Sequence, residues 1–223
     1  MANRDTQEPK SQESAAASSS SPAVKARSRW KVPLLTFAVT ILVVWGVGTF
    51  AYIYFYPRLI YNAWEVAIVQ HGISASSSSG IPINTLYTMP TLASPSQSNS
   101  LESTGNHDTL YTVGCLDLST GPEVLHVPDM AGRYYSVQFM DPWGTVFAYV
   151  GRRTTGTQAG DYLISGPGWK GKVPDGVRQI ASPDNTVLLI GRTLVTSDSD
   201  LATAYGLAKQ IQVTPLSRWH PGH

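Results

Sequence analysis

A histidine and an aspartate stand side by side in NHDTLYT, Asn106 to Thr112, just ahead of a run that alternates like a β-strand. An imidazole next to a carboxylate can pass a proton near neutral pH or hold a metal ion at the mouth of a cleft. The same residues also suit a strand entrance, where Asn and Asp side chains accept backbone N–H bonds from the turn. Neighbours on an extended chain point to opposite faces, so His107 and Asp108 are not partners by adjacency alone. The strand-entrance reading is favoured, with Asp108 as an acceptor and His107 replaceable. A shorter echo, NTLYT at Asn84 to Thr88, lies upstream.

Other groups with chemical potential are scattered. Arg133, Arg152, Arg153 and Arg192 fall within or at the ends of strand-like runs, which suits ion pairing or anion recognition, and pairing is the favoured account. The single cysteine, Cys115, excludes an intrachain disulfide and reads as a buried thiol. None of the five histidines pairs with another at helical i,i+4 spacing, so no metal site is expected, nor any cofactor. GPGWKG, Gly166 to Gly171, has dinucleotide-fingerprint spacing, but Pro and Trp inside it and VPDG after it make it a loop between strands. No G-x-S-x-G elbow, H-E-x-x-H or phosphate loop occurs. A formal net charge of +1 over 223 residues gives no footprint for nucleic acid.

The elements that must position these residues begin with an uncharged segment. Val32 to Tyr56 exceeds the roughly 20 apolar residues that cross a bilayer. Lys25, Arg27, Arg29 and Lys31 precede it, and only Arg58 follows closely. The positive-inside bias therefore predicts a signal anchor with a cytoplasmic N-terminus and everything after Arg58 outside the cytoplasm. A cleaved signal peptide is the competing reading, disfavoured by the length of the apolar run and of the leader before it. Residues 1–31 read as a disordered tail and 57–80 as a juxtamembrane helix and linker, with His71-Gly72 as the helix stop. The stretch from Ile73 to Asn106, rich in Ser and Pro, has loop chemistry.

From Thr109 the period becomes two. TLYTVGCLD, EVLHVPD, RYYSVQFMD, TVFAYVG, DYLISGP, VRQIAS and NTVLLIGRTLV are each bounded by Gly, Pro or Asp, which predicts a mainly β domain over 81–217. An antiparallel β-sandwich or jelly-roll-like fold accommodates them, with one helix near Asp200–Ile211 packed on the sheet. Residues 218–223 form a tail.

The ordered series NHDTLYT, LDLSTGPEVLHVPD, GRYYSVQFMDPWGTVFAYVGRRTTGTQAGDYLISGPGWKG, VPDGV, LLIGRTLV and QVTPLS resembles the extracytoplasmic domain of unknown function 1254, from about Ile81 to Ser217. The first motif in that family reads close to PN-x-DTLYS. Asn106, Asp108, Thr109, Leu110 and Tyr111 match it, Gly105 and Thr112 depart from it, and His107 falls at its variable position. The resemblance implies a β-rich fold and association with a second domain, of unknown function 1214, in the same chain or a separate one. Longer relatives continue past the segment resembling QVTPLS into that companion domain, so this sequence reads either as the short membrane-anchored form with a separate partner or as an incomplete product; the N-terminal membrane segment, which the resemblance associates with the short form, favours the first.

Two function classes follow. The first is a membrane-anchored binding or assembly module for a partner protein, envelope polymer or small ligand, with Asn106, Asp108, Tyr111, Arg133 and Tyr135 as candidate ligand-binding or motif residues. The second is an extracytoplasmic hydrolase or lyase using His107, Asp108, Tyr111 and Arg133. Missing nucleophile and metal motifs favour binding.

Overall fold

The computed structural model describes residues 31–72, 80–92 and 106–221. Apart from Lys31, the expected N-terminal tail lies outside them, as does most of the Ser- and Pro-rich interval.

Helix α1 (Lys31–His71) runs 41 residues through Pro57 without a break, about 60 Å at 1.5 Å per residue. Its apolar window has a mean hydropathy of 2.1 and no buried residue. It is long and apolar enough to cross a membrane, a property that membrane spans and signal sequences share. The helix ends where the sequence said it would: Gly72, at φ 73°, takes the left-handed position and donates to the Ile68 carbonyl at 2.9 Å.

Among the described residues nine strands follow: β1 (Tyr87–Thr88), β2 (Thr109–Asp117), β3 (Glu123–Val127), β4 (Tyr135–Met140), β5 (Val146–Gly151), β6 (Gly160–Ser165), β7 (Arg178–Ala181), β8 (Thr186–Leu194) and β9 (Gln212–Pro215). They form a five-stranded sheet in the order β1-β2-β8-β4-β5 and a four-stranded sheet in the order β7-β6-β3-β9. Helix α2 (Leu201–Ala208), entered through a 3₁₀ turn at Asp198–Asp200, lies before β9. All seven alternating runs form strands. Two further strands, β1 and β9, sit inside NTLYT and QVTPLS and are too short to show a period. One pairing departs from the antiparallel expectation: β6 and β7 run parallel, because the 166–177 loop crosses over instead of turning back as a hairpin.

Alternation becomes packing across both sheets. Tyr135, Val137 and Phe139 of β4, Leu116 of β2 and Leu189 of β8 join Leu125 and Val127 of β3 and Ile164 of β6 in one buried cluster. The opposite face of the first sheet is also covered. Val113, Cys115 and Leu188 pack with Tyr61 and Ile68 of α1, Ile81 and Met89. Strands β2 and β8 are thus central to two apolar layers, and their nine-residue register from Thr109↔Leu194 to Asp117↔Thr186 is fixed from both sides. Cys115 is buried as expected, and burial, with Glu65 nearby, pushes its thiol up to about 12.

One core position is chemically costly. Glu123 opens β3 at 2% exposure, opposite Ile164 and Pro215, with Oε2 lacking a hydrogen-bond partner among the described residues. Burial pushes its carboxyl up to about 7, opposed in part by the Arg218 guanidinium. The folded state therefore holds this proton at pH values where the unfolded chain has lost it. Stability from this group is full below the ordinary glutamate range and declines as pH rises toward 7, by roughly 1–3 kcal/mol. Glu123→Gln should flatten that decline. Melting midpoints recorded from pH 5 to 8 should converge near pH 5 and separate at pH 8 with the variant higher; an unchanged pH slope in the variant would contradict this.

Candidate functional site

The exit of β8 draws the sequence motifs together through the backbone. Val195 N–H donates to the Asp108 carbonyl at 2.7 Å, and Leu194 N–H donates to the Tyr134 carbonyl at 3.0 Å. NHDTLYT and GRYY therefore flank the same strand end, one on each side.

Asn106, not Asp108, caps the entrance of β2. Its buried carboxamide oxygen accepts from Thr109 N at 3.1 Å and Thr109 Oγ1 at 2.9 Å, while its Nδ2 donates to the Thr109 carbonyl at 2.7 Å. The side chains of His107 and Asp108 are exposed, and among the described residues the Asp108 carboxylate has no hydrogen-bond partner. The expectation that Asp108 accepts the turn bonds is corrected: Asn106 sits two residues earlier, where its amide can both accept from and donate to Thr109, and Asp108 contributes only its backbone carbonyl. Asn84 of the echo works similarly. Its carboxamide accepts from Asp117 N at 2.7 Å and donates to Asp117 O at 3.2 Å, pinning the approach to β1 against the end of β2.

Arg133 precedes β4 and is committed to a fork. Its Nη1 donates to Asp200 Oδ2 at 2.6 Å and to the Leu194 carbonyl at 2.7 Å, and its Nη2 donates to Asp200 Oδ1 at 2.7 Å. Asp200 Oδ2 also accepts from Thr196 N and Thr196 Oγ1, each at 2.9 Å. The Arg133 guanidinium and the Thr196 bonds hold the Asp200 carboxyl well below the usual carboxylate range, so this tie is intact above that range and is lost only in strong acid. Tyr135 is 1% exposed in the core, its hydroxyl without a hydrogen-bond partner among the described residues and its phenol pushed up by burial, and it also borders the hollow described below. Tyr111 pairs across strands with Arg192, whose guanidinium lies 5.1 Å from the ring centroid. The five candidate residues share one region of the sheet but do not converge on one pocket.

Structural pairing thus accounts for Arg133 alone. Arg152, Arg153 and Arg192 are exposed, and none has a carboxylate partner among the described residues. Arg153 stands 5.9 Å over the Tyr134 ring. A hollow of about 340 Å³ opens there, lined by Tyr134, Ser136, Tyr149, Gly151, Arg153 and Thr154. Ser136 is the cross-strand partner of both Gly151 and Arg192, so the hollow and the Arg192–Tyr111 stack form one continuous row over β2, β8, β4 and β5. A Cβ on Gly151 would meet the Tyr135 carbonyl oxygen at 2.6 Å, so β5 closes on β4 there and sends no side chain into the hollow. Tyr149, 49% exposed, borders it. This is a cationic, aromatic-edged surface with no acid among its lining residues.

The histidine–carboxylate pair that the fold does assemble is His126 with Asp161, 2.8 Å apart across β3 and β6. No sequence signal linked them, since they are 35 residues apart and meet only through strand register. GPGWKG lies in the loop between β6 and β7, as expected. A second groove, of about 480 Å³, runs between the β1 segment and the α2–β9 connection, bordered by Tyr87, Tyr205, Lys209 and Gln212.

Comparison with known proteins adds one family and two solved structures. The family described as "Protein of unknown function (DUF1254)" matches residues 83–215, more than half of the chain. The solved VPA0106 protein of Vibrio parahaemolyticus is similar with 28% identity and a TM-score of 0.59, over 75% of this chain and 37% of that one. An uncharacterised protein from Burkholderia cenocepacia is similar with 11% identity and a TM-score of 0.40, over 71% of this chain and 39% of that one. The chain therefore spans well under half the length of these solved relatives. No curated protein matches it.

The side-chain bonds assign the stability role within NHDTLYT. Asn106→Ala should cost on the order of 1–3 kcal/mol, since it strands buried donors of Thr109, whereas Asp108→Ala should leave the unfolding midpoint nearly unchanged. Paired denaturant melts measure both, and a larger loss for Asp108→Ala would reverse the assignment.

Proposed function

Since the chain belongs to the DUF1254 family of proteins of unknown function, we propose that it is a membrane-anchored module that binds an anionic ligand on the outer face of its five-stranded sheet. The observation that carries this reading is the disposition of the arginines. Arg153 and Arg192 lie exposed on tyrosine rings at either side of Ser136, without an acidic partner among the described residues. A guanidinium held on an aromatic face is already oriented, so it loses little freedom when a carboxylate or phosphate arrives. The hollow is within the size range of small-ligand sites, and its open side admits one segment of a longer polymer.

On this reading the two sheets form a β-sandwich, and residues 32–56 span the membrane as an uncleaved anchor. The cationic flank keeps the N-terminus in the cytoplasm, and the β domain works outside it. A separate chain carrying domain of unknown function 1214 is the proposed partner, supported by the family resemblance. A hydrolase or lyase reading has less support, because His107 and Asp108 face solvent without partners among the described residues while Arg133 is held by Asp200.

Full-length protein in detergent should bind fluorescent alginate, a carboxylated polysaccharide, and ignore neutral dextran. The double substitution Arg153→Gln with Arg192→Gln should weaken alginate binding by about tenfold or more, and added salt should do likewise. Equal affinity of the double variant and the parent, or equal binding of dextran, would contradict the proposal.

A further inference from the structure

The turn joining β4 to β5 is built to hold a tryptophan outward. Asp141 is buried, and its Oδ1 accepts from Trp143 N and Thr145 N, each at 2.9 Å, while its carbonyl accepts from Gly144 N at 3.0 Å. Gly144 supplies the left-handed φ of 79° that closes the turn. Trp143, so presented, meets two residues of α1. Its ring lies 4.9 Å from that of Tyr54, and the Arg58 guanidinium stands 5.3 Å from its centroid. Arg58 in turn reaches Asp184 at 3.8 Å.

These α1 residues lie where the apolar run gives way. Tyr52 and Tyr56 stack at 4.8 Å, Phe50 and Tyr54 at 6.0 Å, and all four rings are exposed. Arg58 is the first charged residue after Lys31. Tyrosine and tryptophan rings concentrate at the headgroup level of a bilayer, and an arginine at a helix end reaches toward lipid phosphates. A tryptophan in ring contact with that girdle occupies the same depth.

The geometry points to a membrane seat for the β domain: the Asp141–Thr145 turn rests in the lipid headgroup layer, with Trp143 extending the aromatic girdle of α1. This inference rests on the reading of residues 32–56 as a membrane span. It also orients the site. Strand β4 covers six residues, about 20 Å, between this turn and Tyr135. The tyrosine–arginine hollow lies at the other end of β4 from this turn, and the proposal places that end farther from the headgroups, where a polymer or a partner chain can reach it.

Full-length protein reconstituted into phosphatidylcholine vesicles tests the seat. Emission of the parent minus that of Trp143→Phe isolates Trp143, and lipids brominated near the top of the acyl chains should quench most of that difference. A nitroxide on Thr145→Cys, with Cys115 buried and unreactive, should be shielded from a water-soluble nickel relaxant compared with one on Arg153→Cys. Protein that floats with the vesicles while Trp143 stays unquenched, or while both nitroxides relax equally, overturns the seat and leaves the span standing. Protein that fails to float overturns both.

Discussion

The fork between Arg133 and Asp200 is the constraint on which the motif end of this domain depends. One guanidinium bonds both oxygens of a carboxylate and the carbonyl of Leu194, the last residue of β8. Through those bonds the entry to β4, the exit of β8 and the start of α2 become one unit. A flat, five-donor group suits this role, since a lysine ammonium could not satisfy all three acceptors in a plane. The aspartate completes it by also holding Thr196, so the chain turns into the helix at a fixed angle.

That commitment separates fold from function on the same sheet end. Asn106, Arg133 and Tyr135 are consumed by a cap, a fork and the core, and Asp108 lends only its carbonyl. What remains available to the proposed ligand is the opposite character: arginines on tyrosine faces, a serine floor, and a glycine that contributes no side chain. The rigidity of the first set benefits the second, because Tyr134 is bonded to Leu194 through its carbonyl while its ring carries Arg153. A binding surface whose backbone is fixed by its neighbours spends less of its interaction energy on ordering.

Much of the architecture was legible from period and punctuation. The seven alternating runs became seven strands because each has one face against the shared core, and Gly72 stopped α1 because a left-handed residue was needed there. The short strands β1 and β9 were not legible, as two to four residues carry no period and their pairing is decided by partners far along the chain. The parallel β6–β7 pair was hidden for the same reason. In the candidate region the sequence did not show which side chain makes the turn bonds. Asn106 and Asp108 are chemically interchangeable as acceptors on paper, and only the turn geometry selects the amide. Arg133, Arg152, Arg153 and Arg192 were likewise indistinguishable until register showed that Asp200 is within reach of one of them.

The dependence of this end of the domain on a single charged fork is accessible to a double-mutant cycle. Arg133→Gln, Asp200→Asn and the double variant would be melted alongside the parent at pH 7. If the fork is the keystone, each single change should lower the midpoint sharply and the double variant should be no worse than the poorer single. Losses that simply add, or singles that melt like the parent, would show that Arg133 and Asp200 act independently and that something else holds β8 to β4 and α2.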